Sequence, residues 1–378
     1  MKRAPHFLRG NKGCETPHLA AWVDTETDEH RLDSLTIEHR LRFGWLAVER
    51  STVAGAWSGT VWTRFDTVAG FWDAALANCR PRTKLYLFAH NWAFDGLVLN
   101  AFQELPRRGW TLGHCVIESP PVIAHWRKGT ASLVMLDTLN WWRHSLAKIG
   151  ESVGTPKLKM PRRNASQATW DRYCRNDVDV IRIAMRRWWD FLHSYDLGGF
   201  APTLASQAFR AWRHRFMDHP VLIDSNPAAL ALSRSAYHGG RTEAYQLGKI
   251  KGRVHVLDVN SMYPFVMREE RFPSVLKLHV RNPTLAELRR WLTRYCVVTS
   301  CRLQTKTPRY AIVLDGRLVF PVGRFDAVLT TPDLLHALRS GDLVSASEAA
   351  IYERAPLFAG FVDTLYRLRL EAKARGDA

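Results

Sequence analysis

Apolar runs that end at an acid or at a turn divide the first part of the chain into short predicted strands. The run that begins at Leu19 and leads to Asp24 predicts a buried strand, and two aromatic-rich segments after it are spaced like strands of a meander. A further strand over 83–91 runs into a helix. A longer helical pattern extends from about Ser166 to Tyr195. About five strands with flanking helices therefore predict one α/β domain.

The second part of the chain has a different pattern. Segment 235–253 is basic, and its paired glycines predict a tight turn. The apolar stretch that begins at Val254 predicts a strand that delivers Asp258. Short strands then alternate with one helix over about 268–353. The last segment, 357–378, begins a basic amphipathic helix without a C-cap signal, so we expect the natural chain to continue.

Composition narrows the class of protein. Of the 378 residues, 46% are hydrophobic and 24% are charged, which is sufficient for a large core. The net charge, 53 − 36 = +17, favours a nucleic acid as partner over a membrane surface. No apolar run approaches the ~20 residues that cross a bilayer, so we expect a soluble, intracellular protein. The six cysteines form no Cys/His cluster at zinc spacing, so no structural metal is indicated.

Acidic residues of the first domain occur at positions that can converge. Asp24 and Glu26 are two residues apart at the end of a predicted strand, so both carboxylates point to one face of the sheet. Asp95 lies in the first turn of the helix after the 83–91 strand. Tyr173 and Asp177 are four apart and share one face of the long helix. Each acid alone is also explained as a surface residue, a helix cap or an ion-pair partner.

Convergence of the four carboxylates predicts a centre for divalent cations. Each like-charged pair at ~4 Å costs about 4 kcal/mol at an effective dielectric constant near 20, so cations must offset the repulsion. Oxygen ligands suit Mg²⁺ or Mn²⁺, and two such ions ~4 Å apart support in-line displacement at a phosphodiester. The hydroxyl of Tyr173, one turn before Asp177, can orient the attacking water.

Three segments resemble, in order and interval, the exonuclease motifs of the DnaQ-like 3′–5′ proofreading domain of family B DNA polymerases. The resemblance implies an RNase H-like fold and metal ligation by the four acids. It also implies that Asn91 and Phe94 contact the frayed 3′ end, although alone they would be a polar turn residue and a helix-core residue. The matching segments are VDTET with Asp24 and Glu26, AHNWAFDG with Asn91 and Asp95, and YCRND with Tyr173 and Asp177.

DVNSMYP, which begins at Asp258, resembles motif A of the polymerase palm in the same family. The resemblance implies that the Asp258 carboxylate and the Val259 carbonyl bind the catalytic metals, and that Tyr263 packs under the incoming sugar. Upstream, YHGGR resembles the Y-x-G-G element between exonuclease and palm, in which glycines admit a phosphate while aromatic and basic side chains bind DNA. The residues in this element are Tyr237, Gly239, Gly240 and Arg241.

A further stretch inside the first domain resembles the D-S/T…S-L segment of the protein-primed phage, viral and linear-plasmid polymerases. Asp137 takes its acidic position, and Ser145 and Leu146 take the positions that contact DNA; Ser145 is also the predicted cap of a short helix. Either Lys157 or Lys159 matches a catalytic lysine of these exonucleases. The local spacing does not decide between the two lysines.

The C-terminal part departs from the family pattern. Arg369 and Lys373, four apart, match fingers-helix residues that face the triphosphate, or else form a solvated basic face. The family's later motifs, with the second palm acid, are not present after Asp258, and Ala378 falls where the fingers helix should begin. We therefore expect an N-terminal fragment that is competent as an exonuclease and does not incorporate nucleotides.

Together these observations predict an α/β, RNase H-like exonuclease domain followed by a partial α+β palm with an inserted subdomain. The boundaries are 1–195 for the exonuclease, 196–250 for a connecting segment with the YHGG element, and 251–378 for the palm and the start of the fingers. The implied activity is DNA-directed DNA polymerisation with 3′–5′ proofreading, with two Mg²⁺ or Mn²⁺ ions per active site. Implied partners are primer–template DNA, a single-stranded 3′ end and dNTPs, and the primer is either a terminal protein or a nucleic acid. The resemblance also implies a cytoplasmic location in a phage or mobile-element context. The alternatives are a stand-alone 3′–5′ exonuclease and a non-catalytic DNA-binding remnant of a polymerase.

Overall fold

A computed structural model describes residues 4–51, 57–118 and 120–376. The chain divides into two compact units. The first contains Asn11–Arg215 with Ala372–Ala378, and the second contains Phe216–Glu371 with Met1–Gly10. Ala378, where the sequence predicts the start of a fingers helix, lies outside the described residues. Among those described, no helix combines the length and the apolar composition that crossing a bilayer requires.

The described residues form fifteen strands and eleven α-helices. The strands are β1 (His6–Phe7), β2 (Leu19–Arg31), β3 (Ile37–Arg50), β4 (Val61–Phe65), β5 (Lys84–Ala89), β6 (Thr111–Ile117), β7 (Val122–Lys128), β8 (Ala131–Asp137), β9 (Leu222–Ile223), β10 (Phe272–Arg281), β11 (Cys296–Thr305), β12 (Ile312–Leu314), β13 (Arg317–Val319), β14 (Gly323–Leu329) and β15 (Leu343–Ala355). The helices are α1 (Val68–Leu76), α2 (Trp92–Val98), α3 (Ala101–Arg107), α4 (Leu146–Ser152), α5 (Gln167–Ser194), α6 (Leu204–Ala211), α7 (Pro227–Ser235), α8 (Met262–Glu269), α9 (Leu285–Leu292), α10 (Thr331–Ser340) and α11 (Ala359–Ala374). A 3₁₀ turn covers Thr138–Asn140 and a π-helical turn covers Trp212–Phe216.

The first unit is built on a seven-stranded mixed sheet in the order β4-β3-β2-β5-β8-β7-β6. The central strands β2, β5 and β8 are parallel, and the outer pairings are antiparallel. The sequence predicted about five strands; the sheet is larger because the hairpin β6–β7 extends one edge, where β6 is largely exposed and lacks a buried apolar run. The segments that follow the parallel strands meet at one edge of the sheet.

Alternate residues of β2 pack into two separate cores. Ala21 and Val23 face the core that contains α1 and α3, whereas Trp22 packs with residues of α5 such as Val178. Trp22 is completely buried, and truncation of such a side chain to Ala typically costs about 3–5 kcal/mol. Because side chains alternate along a strand, the even-numbered acids that follow Trp22 point toward α5.

The long helix predicted from about Ser166 to Tyr195 is confirmed as α5, which covers the Trp22 face of the sheet. The Ser166 side chain accepts a hydrogen bond from the Thr169 amide and so caps the first turn. The apolar residues of α5, among them Val178 and Ile181, repeat at helical spacing and are buried. This packing fixes which side of α5 faces the sheet.

The second unit is built on a four-stranded antiparallel sheet in the order β10-β15-β11-β14. One face packs against α9 and α10 through a core that includes Val297, Leu288 and Leu334. The other face packs against α7, with Val298 and Leu232 buried there. Adjacent residues of β11 thus serve opposite faces, as the alternation of a strand requires.

Residues 237–261, between α7 and α8, have no regular secondary structure. The predicted strand that begins at Val254 is wrong: Val256 and Leu257 are 92% and 93% exposed, and no described strand pairs with this segment. An apolar pattern favours a strand only when a neighbour completes the backbone hydrogen bonds. The tight turn predicted at Gly239 and Gly240 is also wrong, since residues 237–244 form neither a turn nor a bend.

Candidate active site

Asp24 and Glu26 lie on β2 just beyond its parallel pairing with β5, which spans Ala20–Trp22. The strand does not end there as predicted, because pairing with β3 continues to Arg31. The ladder is irregular immediately after Glu26. Both acids therefore remain on the side of the strand that α5 covers, where β2 has separated from β5.

Asp95 enters the same region from the first turn of α2, as predicted. Its side chain is 3% exposed, and its Oδ1 accepts a hydrogen bond of 2.6 Å from the hydroxyl of Thr25. Thr25 lies on β2 between Asp24 and Glu26, so this bond joins α2 directly to the strand that carries the first two acids.

The turn between β5 and α2 is held by Asp137, at the end of β8. The Asp137 carboxylate accepts hydrogen bonds from the backbone amides of Asn91 at 3.0 Å and Trp92 at 2.8 Å. Asn91 has a left-handed backbone with φ 72°, which reverses the chain immediately before α2. Asp137 therefore orients the helix that carries Asp95. Its position at the end of the parallel strand β8 suits this role.

Helix α5 supplies the remaining groups, all buried on the face toward β2. Tyr173 and Asp177 are one turn apart, and Cys174 lies beside Tyr173. The Cys174 thiol donates to Asp24 Oδ2 over 3.5 Å. The candidate ligand atoms of Asp24, Glu26 and Cys174 all lie within 4.8 Å of one another. The predicted convergence of β2 and α5 residues is thus present in the structure.

Lys157, rather than Lys159, lies at this cluster. Its ammonium group forms an ion pair with the Asp177 carboxylate and lies 4.4 Å from the centroid of the Tyr173 ring. Lys159 is exposed. The backbone amide of Leu158 donates to Asn176 on α5, which fixes the intervening segment against the helix.

The pKa values of the four carboxyl groups are all raised in the absence of a cation. Burial raises the pKa of Asp24 well above its usual value, and the charges of Asp95, Asp177 and Glu26 raise it further. Burial, followed by the charge of Asp177, raises the pKa of Glu26 to about 7. Burial also raises the pKa of Asp95 to about 7 against the opposing effect of the Thr25 hydrogen bond, and raises that of Asp177 against the effect of Lys157.

This donor set fits hard divalent cations. The carboxylates carry more repulsion than the single nearby lysine offsets, and their oxygen atoms are ligands that Mg²⁺ and Mn²⁺ prefer. Asp177 is 3% exposed, and no donor among the described residues reaches its Oδ1. A buried carboxylate oxygen without a partner is costly unless a cation or water binds it.

An open cleft of about 590 Å³ adjoins the start of α2. Phe94 and Leu97 of α2 and His39 of β3 are among the residues that line it. The His39 ring is 5.3 Å from the Phe94 ring, edge to face. Phe94 is only half-buried, so part of its ring faces the cleft.

Two other residues with a predicted DNA role have evident structural roles. Ser145 caps α4, as predicted, because its side chain accepts a hydrogen bond from the Lys148 amide. Leu146 is buried in the core that contains α5. Ser145 is exposed, whereas contact of Leu146 with DNA would involve only a small fraction of its surface.

The residues predicted for a polymerase site lie in the irregular segment and in helices α8 and α11. Asp258, Val259 and Tyr263 are exposed, and Asp258 joins no compact group of three or more metal-ligand side chains among the described residues. Arg369 donates to the Ser261 hydroxyl over 3.0 Å, while Lys373 is exposed.

The exposed YHGG element, with Tyr237, has one fixed member. The Arg241 guanidinium lies 4.5 Å from the centroid of the Phe320 ring and also donates to the Pro308 carbonyl over 2.7 Å. Tyr237 is 87% exposed. Any contact of this element with a phosphate would therefore be made from an open surface.

Sequence reasoning did not identify Thr25 or Cys174 as members of the cluster. The position of Thr25 between Asp24 and Glu26 in the sequence was the signal that could have identified it as a member of the cluster. Cys174 lies between Tyr173 and the acid one turn later, where it had the appearance of a core residue.

Residues 159–378 match the family model described as DNA polymerase type B, organellar and viral. The chain is 24% identical over 180 residues to a probable DNA polymerase of Neurospora intermedia, a match that covers 44% of this chain and 18% of the relative. It is also 24% identical over 205 residues to a probable DNA polymerase of Ascobolus immersus, covering 52% and 17%. The chain thus spans less than a fifth of the length of these curated relatives.

Among solved structures, the fold is similar to Phi29 DNA polymerase complexed with primer–template DNA and incoming nucleotide substrates. The TM-score is 0.67 at 16% identity, and the match covers 92% of this chain and 63% of that one. A complex of Phi29 DNA polymerase with single-stranded DNA gives a TM-score of 0.61 at 17% identity, over 92% and 63%. This likeness confirms the predicted mixed α/β fold class.

Proposed function

Because the chain belongs to the type B DNA polymerases of organelles and viruses, we propose that its first unit is a 3′–5′ exonuclease that shortens single-stranded DNA ends. The observation that carries the proposal is the meeting of Asp24 and Glu26 from β2, Asp95 from α2 and Asp177 from α5. Four carboxylates in one partly buried cluster destabilise a fold unless they bind cations, so the arrangement has a cost that a functional site explains.

The four carboxylates would hold two Mg²⁺ or Mn²⁺ ions. When bound, such a pair lowers the pKa of a water molecule for attack on the phosphodiester and stabilises the leaving oxygen. Thr25 holds Asp95 in place through its hydroxyl, and Lys157 holds Asp177 through its ammonium group. The protein residues thereby fix the positions of the ligand oxygens before a cation arrives.

Tyr173 and the cleft lined by Phe94 offer contacts for the attacking water and for the terminal base of the substrate. The Tyr173 ring lies under the Lys157 ammonium, and in the proposed reaction its hydroxyl orients the attacking water. The half-exposed Phe94 ring offers a surface on which a terminal base can stack. We also propose that the DNA strand contacts three further residues, Asn91, Ser145 and Leu146. The positive net charge of the chain favours phosphate binding.

For the second unit we propose a polymerase palm assignment for the segment around Asp258. Asp258 and the Val259 carbonyl would bind metal, and Tyr263 would contact the sugar of an incoming dNTP. Arg369 and Lys373 would contact its triphosphate. The same proposal includes three further points. The chain divides into residues 1–195, 196–250 and 251–378, the YHGG element contacts DNA, and a terminal protein serves as primer.

A digestion assay tests the exonuclease proposal. The full chain is incubated with a 5′-labelled single-stranded oligonucleotide and Mg²⁺, beside Asp24→Asn and the matched control Asp28→Asn, which changes an exposed acid on the same strand. We expect stepwise shortening from the 3′ end, a loss of at least 10³-fold in Asp24→Asn and no change in Asp28→Asn. Equal digestion by both variants would refute the assignment. Absence of digestion with DNA binding retained would favour the non-catalytic alternative.

A further inference from the structure

A cysteine, a histidine and an aspartate meet at a second place in the first unit. The Sγ of Cys14, the Nε2 of His214 and a carboxylate oxygen of Asp196 all lie within 4.8 Å of one another. The Nε2 of His214 is 2.7 Å from Asp196 Oδ1 and 3.9 Å from Cys14 Sγ. Asp196 follows the end of α5, whereas Asp177 lies near its middle, so at ~1.5 Å per residue the two clusters are roughly 25 Å apart along the helix.

His214 is held in a defined orientation. It lies in the π-helical turn Trp212–Phe216, a type of turn that is frequent at functional sites, and is 8% exposed. Its Nδ1 is 2.8 Å from the Asn11 carbonyl oxygen, which can only accept, so Nδ1 carries a proton. The Nε2 therefore faces Asp196 and Cys14. A carbonyl bonded to the far nitrogen is the arrangement that orients histidine ligands of metals.

The backbone around the cluster is fixed on both sides of Cys14. The Gly199 amide donates to the Gly13 carbonyl over 2.8 Å, and the Phe200 amide donates to the Glu15 carbonyl over 2.9 Å. Gly198 has φ +75°, and a Cβ there would lie 3.1 Å from His214. The left-handed backbone and the adjacent imidazole both favour glycine at this position.

The geometry requires a positive species between His214 and Asp196. With Nδ1 protonated, a neutral imidazole would direct the Nε2 lone pair at a carboxylate oxygen, so either a second proton or a metal ion must lie between them. The Lys12 ammonium group donates a hydrogen bond to the backbone carbonyl of His214.

Thiolate, imidazole and carboxylate together are a donor set for zinc. Tetrahedral zinc, with bonds of ~2.0–2.3 Å, separates its ligand atoms by roughly 3.3–3.6 Å. The observed separations of 2.7 and 3.9 Å lie on either side of this range, and both Cys14 and Asp196 are exposed side chains that can move by a few tenths of an ångström. Water has access to the fourth position.

We propose that Cys14, Asp196 and His214 form a zinc site that fastens the N-terminal segment of the first unit to the end of α5. Because thiolate and neutral imidazole are the forms that bind zinc, we expect the affinity for zinc to rise with pH. The site differs from the carboxylate cluster in containing sulfur and nitrogen donors, which favour zinc over magnesium.

The test uses Co²⁺ as a spectroscopic probe of the full chain, with Zn²⁺ as competitor. Co²⁺ bound by a thiolate gives a charge-transfer band, which Zn²⁺ should remove. Since Cys174 also lies beside carboxylates, each of the two cysteines is replaced separately, and Cys115→Ser serves as a control for a thiol of β6. We expect the band to be lost in Cys14→Ser and retained in Cys174→Ser and Cys115→Ser.

A second measurement follows Zn²⁺ affinity and thermal stability in variants that preserve the fold. Asp196→Asn changes an exposed side chain, so it is suited to this purpose; we expect it to weaken Zn²⁺ binding at least tenfold. Zn²⁺ should raise the Tm of wild type but not that of Cys14→Ser. Loss of the band only in Cys174→Ser, or equal Zn²⁺ affinity and Tm response in wild type, Asp196→Asn and Cys14→Ser, would overturn the proposal.

Discussion

Lys157 is ion-paired with Asp177, although twenty positions separate them in the chain. Lys157 comes from an irregular segment after α4, whereas Asp177 lies on the buried face of α5. Burial alone would favour a neutral Asp177, and the lysine charge opposes this by lowering the pKa of the carboxyl group. The lysine therefore keeps one ligand of the proposed cation site closer to its ionised form.

Replacement of Lys157 should impair the exonuclease through Asp177. In Lys157→Met the Asp177 pKa rises, cation binding weakens, and we expect the rate of 3′-end digestion at pH 7 to fall about 100-fold. Part of the loss should be recovered at higher pH or higher Mg²⁺ concentration. Lys159→Met is the matched control, since Lys159 is exposed, and should digest like wild type. A rate unchanged in Lys157→Met would exclude this role.

The stability of the metal-free protein should fall as pH rises. Glu26 and Asp95 have folded pKa values of about 7, against ~4 in an unfolded chain, so between these values the folded state binds more protons. The free energy of unfolding therefore decreases from about pH 4 to pH 7. We expect the Tm in EDTA to drop by about 3–10 °C between pH 5 and pH 8.

Two controls identify the cause of this pH dependence. Mg²⁺ added at pH 8 should restore most of the lost Tm, because it binds the ionised carboxylates of the folded state only. Asp95→Asn, which cannot ionise, should flatten the profile, whereas the exposed Asp28→Asn should leave it unchanged. A Tm that rises from pH 5 to pH 8 in EDTA would contradict the assigned protonation.

We expect the hydroxyl of Thr25 to lower the pKa of Asp95 in the working site. The 2.6 Å hydrogen bond lowers the pKa of Asp95, so Thr25→Val should raise that pKa further and leave a larger fraction protonated at pH 7. We expect the Mg²⁺ concentration for half-maximal digestion to rise about tenfold and the pH–rate profile to shift to higher pH. Thr25→Ser, which retains the hydroxyl, should behave like wild type, as should Thr63→Val on β4. Matching profiles for Thr25→Val and Thr25→Ser would show that the bond is immaterial.

The parts of the site that sequence predicted well are those set by local periodicity. The separation of two between Asp24 and Glu26, and of four between Tyr173 and Asp177, fix shared faces of a strand and a helix whatever the rest of the chain does. Lys157 could not be distinguished from Lys159 because neither belongs to a periodic element, and the choice depends on a long-range contact with α5.

Features that depend on distant partners were missed for the same reason. The Val254 strand has the right pattern, but whether it pairs is decided by another segment and not by its own residues. Cys14 and His214 are separated by 200 positions and come together only because α5 and the segment after it return to the N-terminal residues. No sequence spacing indicates such a cluster.

DNA binding should be strongly salt-dependent and nearly independent of sequence. The net charge of +17 acts through phosphates, and at six contacts the affinity for single-stranded DNA falls roughly 300-fold between 50 and 200 mM salt. Fluorescence anisotropy with two single-stranded oligonucleotides of shuffled sequence, in Ca²⁺ without Mg²⁺, measures both properties. We expect parallel slopes for the two oligonucleotides, and a flat salt response would indicate a partner other than nucleic acid.

Residues 237–261 should be the first target of protease. Lys249, Lys251 and Arg253 are exposed in this irregular segment, whereas the basic residues of α5 lie in a packed helix whose backbone must unfold before cleavage. Brief trypsin treatment should therefore yield an N-terminal fragment ending at one of these three residues, identified by mass spectrometry. Replacing all three by Gln should slow the first cleavage at least tenfold without lowering the Tm, since exposed side chains there contribute little to stability. Initial cleavage inside α5 would show that this helix opens more readily than its packing implies.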